Sequence, residues 1–440
     1  MAKILLICKD ALGEKMAGPG IRSFEIAREL SKNHAVTLAG PEPVNLSDKQ
    51  FKIIGYNKRK ETKDLGEIVK NFDLVIAQFL KPSLLEKIRK NNIRYIADLY
   101  DPLIIETLEH FKDQPDSVSA INFDFQRYLT ILQILYSDLI LCASEKQKDY
   151  YIGLFSAIGK LNDQLFRRDP RLERTIITLP FGIEEAKESL NDDLIRKIIP
   201  NYQKDDQIII WGGGIWNWFD PLTVILAIDK LKDKLPKVKL IFIGVKHPNP
   251  DIPKMAMVEK ALNLAKKLGL LNTRVFFNFG WVEYNDRHQL FDRAIIGVST
   301  HFNELETRFS FRTRILDYIG HKKPIIATRG DSMSELILRE NLGTVVDFED
   351  VEGVCQAIFD LITNKEKYRQ ITDNLEKVRQ KFFWREVVKP LAKIIDHGLQ
   401  KSDFDHRKGR RVRRLFYQTA INRVASTQGI AGVIKKAIGK

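Results

Sequence analysis

Between Phe302 and Asp331 the chain reads FNELETRFSFRTRILDYIGHKKPIIATRGD, with two carboxylates (Glu304, Glu306) and three guanidinium groups (Arg308, Arg312, Arg314) close together. Guanidinium groups present planar, permanently charged donors that match phosphate oxygens. Phe311, Ile315, Leu316 and Ile319 recur at helical spacing, so a helix is expected over Phe311 to Ile319. Pro324 cannot continue it, and Pro324 to Thr328 reads as a short buried strand. Asp331 or Ser332 then caps a further helix. This order places Arg308 and Arg312 at the first turn of a helix, where free N–H groups and the helix dipole attract anions. The chemistry on offer is phosphate binding; the alternative is a solvated helix whose arginines face water.

Two glycine-bearing loops could serve the same chemistry. Gly13 to Gly20 follows an apolar run at Lys3 to Cys8 and precedes a helical pattern at Ile21 to Leu30 with Arg22 in its first turn. Gly18 and Gly20 there either bring backbone close to a phosphate or simply allow a tight turn. Neither the dinucleotide fingerprint nor a P-loop is present. The second loop, Gly212 to Asp220, follows a strand at Gln207 to Trp211 and leads into a helix from Pro221, capped by Asp220. Gly213 and Gly214 permit close approach of a ligand. Trp216 and Trp218 either offer flat faces to a base or sugar or pack between domains. No Arg or Lys lies between Trp211 and Ala227, so positive charge for a phosphate has to come from Arg308, Arg312 or Arg22. Asp98 and Asp101 lie just past a strand at Tyr95 to Ala97, as chemistry candidates or as ordinary loop carboxylates. Ser144 reads as a helix cap.

These residues need a scaffold, and the pattern supplies one. Further strands are expected at Val36 to Ala39, Phe51 to Ile54, Leu74 to Ala77, Leu139 to Cys142, Val238 to Gly244, Arg274 to Phe277, Ile295 to Ser299 and Thr344 to Phe348. Helical patterns separate most of them, including Leu84 to Lys90, Asn122 to Tyr136, Ile252 to Leu268, Arg287 to Arg293, Val351 to Thr363, Glu366 to Phe382 and Val387 to Leu399. Such alternation implies α/β domains with parallel sheets covered on both faces. At 440 residues two domains are expected, with Glu185 to Asp206 as a polar linker.

Composition narrows the class. An apolar fraction of 44% and a charged fraction of 29% fit a soluble globular protein. No apolar run approaches the ~18 residues of a membrane span. Met1-Ala2-Lys3 leads straight into a strand, so no leader peptide is expected. The three cysteines, Cys8, Cys142 and Cys355, show neither metal spacing nor a disulfide framework, which suits a reducing cytoplasm. The net charge of +14 is concentrated at one end: residues 401–440 hold eleven Lys or Arg against two Asp. There a basic cluster from Arg407 to Arg414 adjoins Leu415-Phe416-Tyr417, and a weak helix continues through Ile421, Val424, Ile430, Val433, Ile434 and Ile438. Basic and apolar residues together suit an anionic membrane surface. A disordered solvated tail is the alternative, and no nucleic-acid-binding motif accompanies the charge.

Arg314-Ile315-Leu316-Asp317-Tyr318-Ile319-Gly320, followed by Lys323-Pro324-Ile325-Ile326-Ala327, resembles the nucleotide-sugar signature of retaining glycosyltransferases of family 4 (group 1). Asp317 stands where that pattern has its second Glu, and Phe309 stands where it has its first. The Gly18–Gly20 loop, Leu179-Pro180-Phe181-Gly182 and the spacing from Gly280-Trp281-Val282 to Ile295 are similar to the family too. The resemblance implies a GT-B fold, two Rossmann-like doubly wound parallel-sheet domains facing a central cleft, here with a basic C-terminal tail. The corresponding spans are 1–185 on the acceptor side, 206–384 on the nucleotide-sugar side, 385–400 as a crossover helix and 401–440 as a membrane-surface tail.

It further implies transfer of a sugar from a nucleotide-diphosphate sugar to a lipid-linked or cell-envelope glycan, with retention and no metal. Asp101, Arg308 and Arg312 are the expected catalytic residues. Gly18, Gly20, Arg22, Gly213, Gly214, Trp216, Glu306 and Asp317 are the expected donor-binding set, with Asp317 on the ribose hydroxyls. The one D-x-D, Asp403-Phe404-Asp405, falls in the basic tail. No cofactor, metal or nucleic acid is expected, and the setting is cytoplasmic, peripheral to the membrane. An epimerase or hydrolase of the same fold, or a non-catalytic nucleotide-sugar-binding partner, would share the donor features.

Overall fold

The computed structural model describes residues 1–14, 16–185, 192–246, 255–280, 282–283, 286–403 and 405–437, with side chains of the final helix described to residue 425. Short apolar runs rich in Ile, Val and Leu form two sheets, because a strand buried on both faces needs no polar alternation. The first sheet holds β1 (Lys3–Ile7), β2 (Ala35–Pro41), β3 (Lys52–Tyr56), β4 (Leu74–Ala77), β5 (Arg94–Asp98), β6 (Leu139–Cys142) and β7 (Ile176–Thr178). Its order is β3-β2-β1-β4-β5-β6-β7 and every pairing is parallel. The second holds β8 (Gln207–Trp211), β9 (Val238–Phe242), β10 (Val275–Phe277), β11 (Ala294–Ser299), β12 (Ile325–Thr328) and β13 (Gly343–Val346). Its order is β10-β9-β8-β11-β12-β13, again all parallel.

The chain forms two compact units, one of residues Met1–Lys9, Ile26–Leu179 and Lys389–Lys440, the other of Asp10–Glu25 and Pro180–Val388. In each, the strands run outward from an early strand in one direction and then return to its other side. The reversal falls between β1 and β4 in the first sheet and between β8 and β11 in the second. Loops at the strand C-termini separate at such a point and leave room for a ligand.

Several boundaries differ from the sequence expectation. The first helix begins at Gly18, so Gly18, Pro19 and Gly20 are its first turn rather than a loop. Pro is tolerated there because its missing N–H would have no partner in that turn. The helix expected from Phe311 is Thr313–Gly320, and a separate short helix, Leu305–Phe309, precedes it where a polar loop was expected. Ser310 separates them, extended at φ −71°, ψ 153°. Arg308 therefore ends a five-residue helix instead of opening a longer one. β7 was not apparent from its three residues, and the expected linker contains the helix Asp193–Ile198. Trp281, residues 186–191 and 252–254, and the side chains of Ile430, Val433, Ile434 and Ile438, for which the sequence raised expectations, lie outside the described residues.

The largest difference lies at the C-terminus. Residues 401–437, expected as a separate tail, belong to the first unit together with residues 389–400. The Ser402 amide donates to Asp138 Oδ1 (2.7 Å) and its hydroxyl to the Ser137 carbonyl (2.8 Å). Helix His406–Ala437 then packs along helix Asp116–Tyr136. Phe416 is buried and its ring lies 5.0 Å from that of Phe125. Asp403 pairs with Arg168 (3.5 Å), and Asp405 Oδ1 accepts from the amides of Arg407 (2.9 Å) and Lys408 (3.0 Å) at the helix start. Both aspartates of the D-x-D are thus engaged in holding this helix.

Burial of Phe416 makes the terminal helix a stabilising element. Phe416→Ala should lower unfolding free energy by about 3 kcal/mol or more, read from denaturant titration. An unchanged midpoint would show that the helix does not contribute to the fold.

Candidate functional site

The site is built where the second sheet reverses order. β8 ends in Trp211 and passes into Gly212–Asp220; β11 ends in Ser299 and passes into residues 300–312. These two loops are laced together. The Asp220 amide donates to the Thr300 carbonyl (3.0 Å), the Thr300 hydroxyl to the Asp220 carbonyl (2.5 Å), and the Phe302 amide to the Trp218 carbonyl (3.3 Å). Asp220 also caps helix Pro221–Leu231 by accepting from the Thr223 amide (3.1 Å), as its place before Pro221 suggested.

Arg312 holds the second loop from below. Its guanidinium, 5% exposed, donates to both carboxylate oxygens of Glu306, at 3.0 and 2.6 Å. Its Nε lies 3.5 Å from Asp331, and its planar group sits over the Phe219 ring at 4.8 Å. Asp331 in turn caps helix Ser332–Glu340, accepting from the Ser334 amide at 2.6 Å. Burial pushes the Asp331 carboxyl up from its ordinary value, against the opposing pull of Arg312 and the cap hydrogen bonds. His301 completes the cluster. Burial, and then the Arg312 charge, hold it well below the ordinary imidazole value, so it is neutral and its 4.0 Å approach to Asp331 is not an ion pair. Arg312 and Glu306, expected to meet the donor, are therefore buried partners of each other. Arg308 is the exposed cation of the three expected to supply charge, lying 5.7 Å from the Phe309 ring.

The glycine loop is held from its inner side. Tyr318 Oη accepts from the Gly212 amide (2.8 Å) and donates to the Val298 carbonyl (2.8 Å). Its ring lies so close to β11 that a Cβ on Gly297 would meet it at 2.2–2.4 Å, and only glycine fits. The Gly214 carbonyl accepts from Arg314 Nη2 (2.8 Å) and from Trp211 Nε1 (3.2 Å). Gly213 takes φ +101°, and a Cβ there would have no neighbour within 4 Å. It faces open space while its flanks are fixed. Trp216 and Trp218 stack on each other, 5.3 Å apart and 7° from parallel, with Trp218 buried and Trp216 partly exposed. Arg314 and Tyr318 lie four residues apart on one helix face, a spacing visible in the sequence but not read there as a brace for the loop.

Asp317, on the same helix, is bound side-on by Arg287, with Nη2–Oδ1 at 3.1 Å and Nη1–Oδ2 at 3.3 Å. Arg287 comes from helix Arg287–Arg293 and was not foreseen as a partner. Gly18, Gly20 and Arg22 belong to the same unit. Arg22 is fully buried, donates to the Pro180 carbonyl (2.9 Å) and stacks on Phe181 at 5.0 Å. A Cβ on Gly20 would meet the Ala11 carbonyl at 2.8 Å, so close packing accounts for that glycine. Asp101 belongs to the other unit, beyond the end of β5, where Gln78 Nε2 donates to its Oδ2 at 3.4 Å.

Two doubly wound parallel sheets, each with a loop pair at its reversal point, define the GT-B fold class. Solved structures agree on the fold. Sucrose-phosphate synthase from Thermosynechococcus elongatus superposes with TM-score 0.62 at 14% identity, over 90% of this chain and 99% of that one. HepE from Anabaena in complex with UDP-glucose gives 0.62 at 16% identity, over 90% and 100%. Residues 194–378 match the family model Glycosyl transferases group 1, and this stretch is a glycosyl transferase group 1 domain. The chain is 24% identical over 232 residues to chitobiosyldiphosphodolichol beta-mannosyltransferase from Yarrowia lipolytica, a match spanning 51% of this chain and 45% of that protein.

Removing Arg312 would leave Glu306 and Asp331 buried without their cation. Arg312→Ala should cost about 3–5 kcal/mol of stability, whereas Arg308→Ala, at an exposed position, should stay within about 0.5 kcal/mol of the parent. Equal unfolding midpoints for the two variants would refute the division of labour between them.

Proposed function

We propose that the protein is a glycosyltransferase that takes a sugar from a nucleoside-diphosphate sugar and places it, with retention and without a metal, on a lipid-linked or cell-envelope glycan. The observation that carries this reading is the laced loop pair at the reversal of the second sheet, inside the stretch matching the group 1 model. The wider activity rests on relatives matched over less than half their length.

In this reading the nucleotide lies along the glycine loop, with Trp216 as a flat face for the base and Asp317 taking the ribose hydroxyls in exchange with Arg287. Arg308 reaches the departing diphosphate, whose developing charge is the main quantity a transferase of this kind has to stabilise. Arg312 and Glu306 keep the loop that carries Arg308 in place. Asp101 belongs to the acceptor side.

The acceptor reading draws support from helix His406–Ala437. Its docked face carries Phe416, while Arg407, Arg410, Arg411 and Arg414 are exposed on it. Leu415, Tyr417 and Ile421 are exposed as well, at 39%, 44% and 49%. A folded helix with arginines and apolar side chains outward suits the headgroup layer of an anionic bilayer on the cytoplasmic side. Among the described residues no helix is long and apolar enough to cross a membrane.

Nucleoside-diphosphate sugars at about 100 times their dissociation constant should add ~2.7 kcal/mol of stability, seen as a rise in melting temperature. No rise with any of them would remove the donor reading; release of free sugar from donor alone would favour a hydrolase. Asp317→Asn should weaken nucleotide binding and reduce discrimination against a 2′,3′-dideoxy nucleotide. It should change the melting temperature little, because the partly exposed Arg287–Asp317 pair is screened by water and contributes about 1 kcal/mol.

For the membrane, replacing Arg410, Arg411 and Arg414 by Glu should lower partitioning onto anionic vesicles by at least ~3 kcal/mol, at ~1 kcal/mol per lost cation. The same variant should bind neutral vesicles as the parent does. Equal binding of parent and variant to anionic vesicles would rule the face out.

A further inference from the structure

Arg314 has an environment unlike that of the other buried cations near the site. It is 8% exposed, and its guanidinium lies between aromatic rings, 4.6 Å from Trp211 and 4.0 Å from Phe219. Nη2 donates to the Gly214 carbonyl at 2.8 Å, while Nη1 is buried with no hydrogen-bond partner. Among the described residues no carboxylate forms a salt bridge with it, Asp317 acting on it only at longer range. Arg312, two residues away, is neutralised by Glu306 and Asp331. Asp317, one turn along, is held by Arg287. Burial lowers the Arg314 guanidinium to about 10, which still leaves it charged at neutral pH.

A buried charge is normally paired, because desolvation otherwise costs several kcal/mol. The ring faces recover part of that cost through cation–π attraction, and the Gly214 carbonyl recovers more. Among the described residues the remaining charge has no direct ion-pair partner, only the longer-range pull of Asp317, and it lies beneath a loop that contains no Arg or Lys of its own. The same side chain fixes the Gly214 carbonyl inward while Gly213 faces open space.

We infer that Arg314 is the positioning and electrostatic residue of the donor site: it pins the Gly212–Gly214 loop and supplies from below the positive charge that selects a nucleoside diphosphate over a nucleoside. This rests on the donor-site reading given above. The diphosphate supplies the missing anion without having to touch the guanidinium, since a unit charge acts through several ångströms of low-dielectric protein. Arg308, exposed to screening water, contributes less to this selection.

The test compares affinity for UDP with affinity for uridine by calorimetry, in the parent and in Arg314→Gln, Arg314→Met and Arg314→Lys. Gln keeps a donor for the Gly214 carbonyl, Met keeps the volume, and Lys keeps the charge. The parent should prefer UDP strongly. Both neutral variants should lose about tenfold of that preference; Arg314→Gln, which keeps a donor for Gly214, should bind uridine as the parent does, whereas Arg314→Met, which releases the loop, should bind uridine more weakly as well. Lys should retain it within about threefold. If one neutral variant does not fold, the other together with Lys decides. A parent without preference for UDP would overturn the donor-site reading itself. A parent with preference, matched by Arg314→Gln or Arg314→Met, would overturn this inference alone, as would an equal loss in Arg314→Lys.

Discussion

The buried ion pair between Arg312 and Glu306 is the constraint on which the second unit's site depends. A guanidinium and a carboxylate taken out of water are tolerable only when geometry is good and remaining donors are satisfied. Here a bidentate contact supplies the geometry, while Nε makes no hydrogen bond and is offset by Asp331 at 3.5 Å and by the Phe219 ring face. Because Glu306 sits in one short helix, Arg312 at the start of the next and Asp331 at the start of a third, the pair ties three chain reversals together. The loop after β11 therefore has a fixed path although it is neither strand nor long helix.

That fixed path separates two kinds of arginine. Those inside, Arg312 and Arg314, set backbone position; Arg308, outside, is free to meet a ligand. The three look alike in sequence, and their spacing suggested a single cationic helix turn. The break at Ser310 decides otherwise, by turning the chain so that consecutive arginines point into different surroundings. The aromatic residues Trp211 and Phe219 matter as much as the acids here, because they make burial of a cation possible without a carboxylate.

Helix His406–Ala437 shows the same separation on a larger scale. Its basic residues and its apolar residues suggested one membrane-directed tail. In the fold, Phe416 turns inward onto Phe125 and Arg413 pairs with Glu86, while Arg410, Arg411 and Arg414 turn outward. The helix is fastened before it begins, by Ser402 on Asp138 and by the two aspartates that precede His406. Composition could not reveal this, because docking depends on the matching face of helix Asp116–Tyr136 more than two hundred residues earlier.

The sequence by itself determined the fold class and most strands, since β-runs of Ile, Val and Leu separated by helical spacing admit only a covered parallel sheet. It also determined the cap at Asp220, narrowed the later cap to Asp331 or Ser332, and placed the glycine loop after β8, all of which are local matters of backbone geometry. What only the tertiary structure decided is which charges find partners. Arg22 meets Pro180, Arg287 meets Asp317, and Arg314 reaches Gly214 one hundred residues away. Periodicity along a chain fixes which face of an element is apolar. It does not fix what another element brings to that face, and the state of a buried charge depends on that neighbour alone.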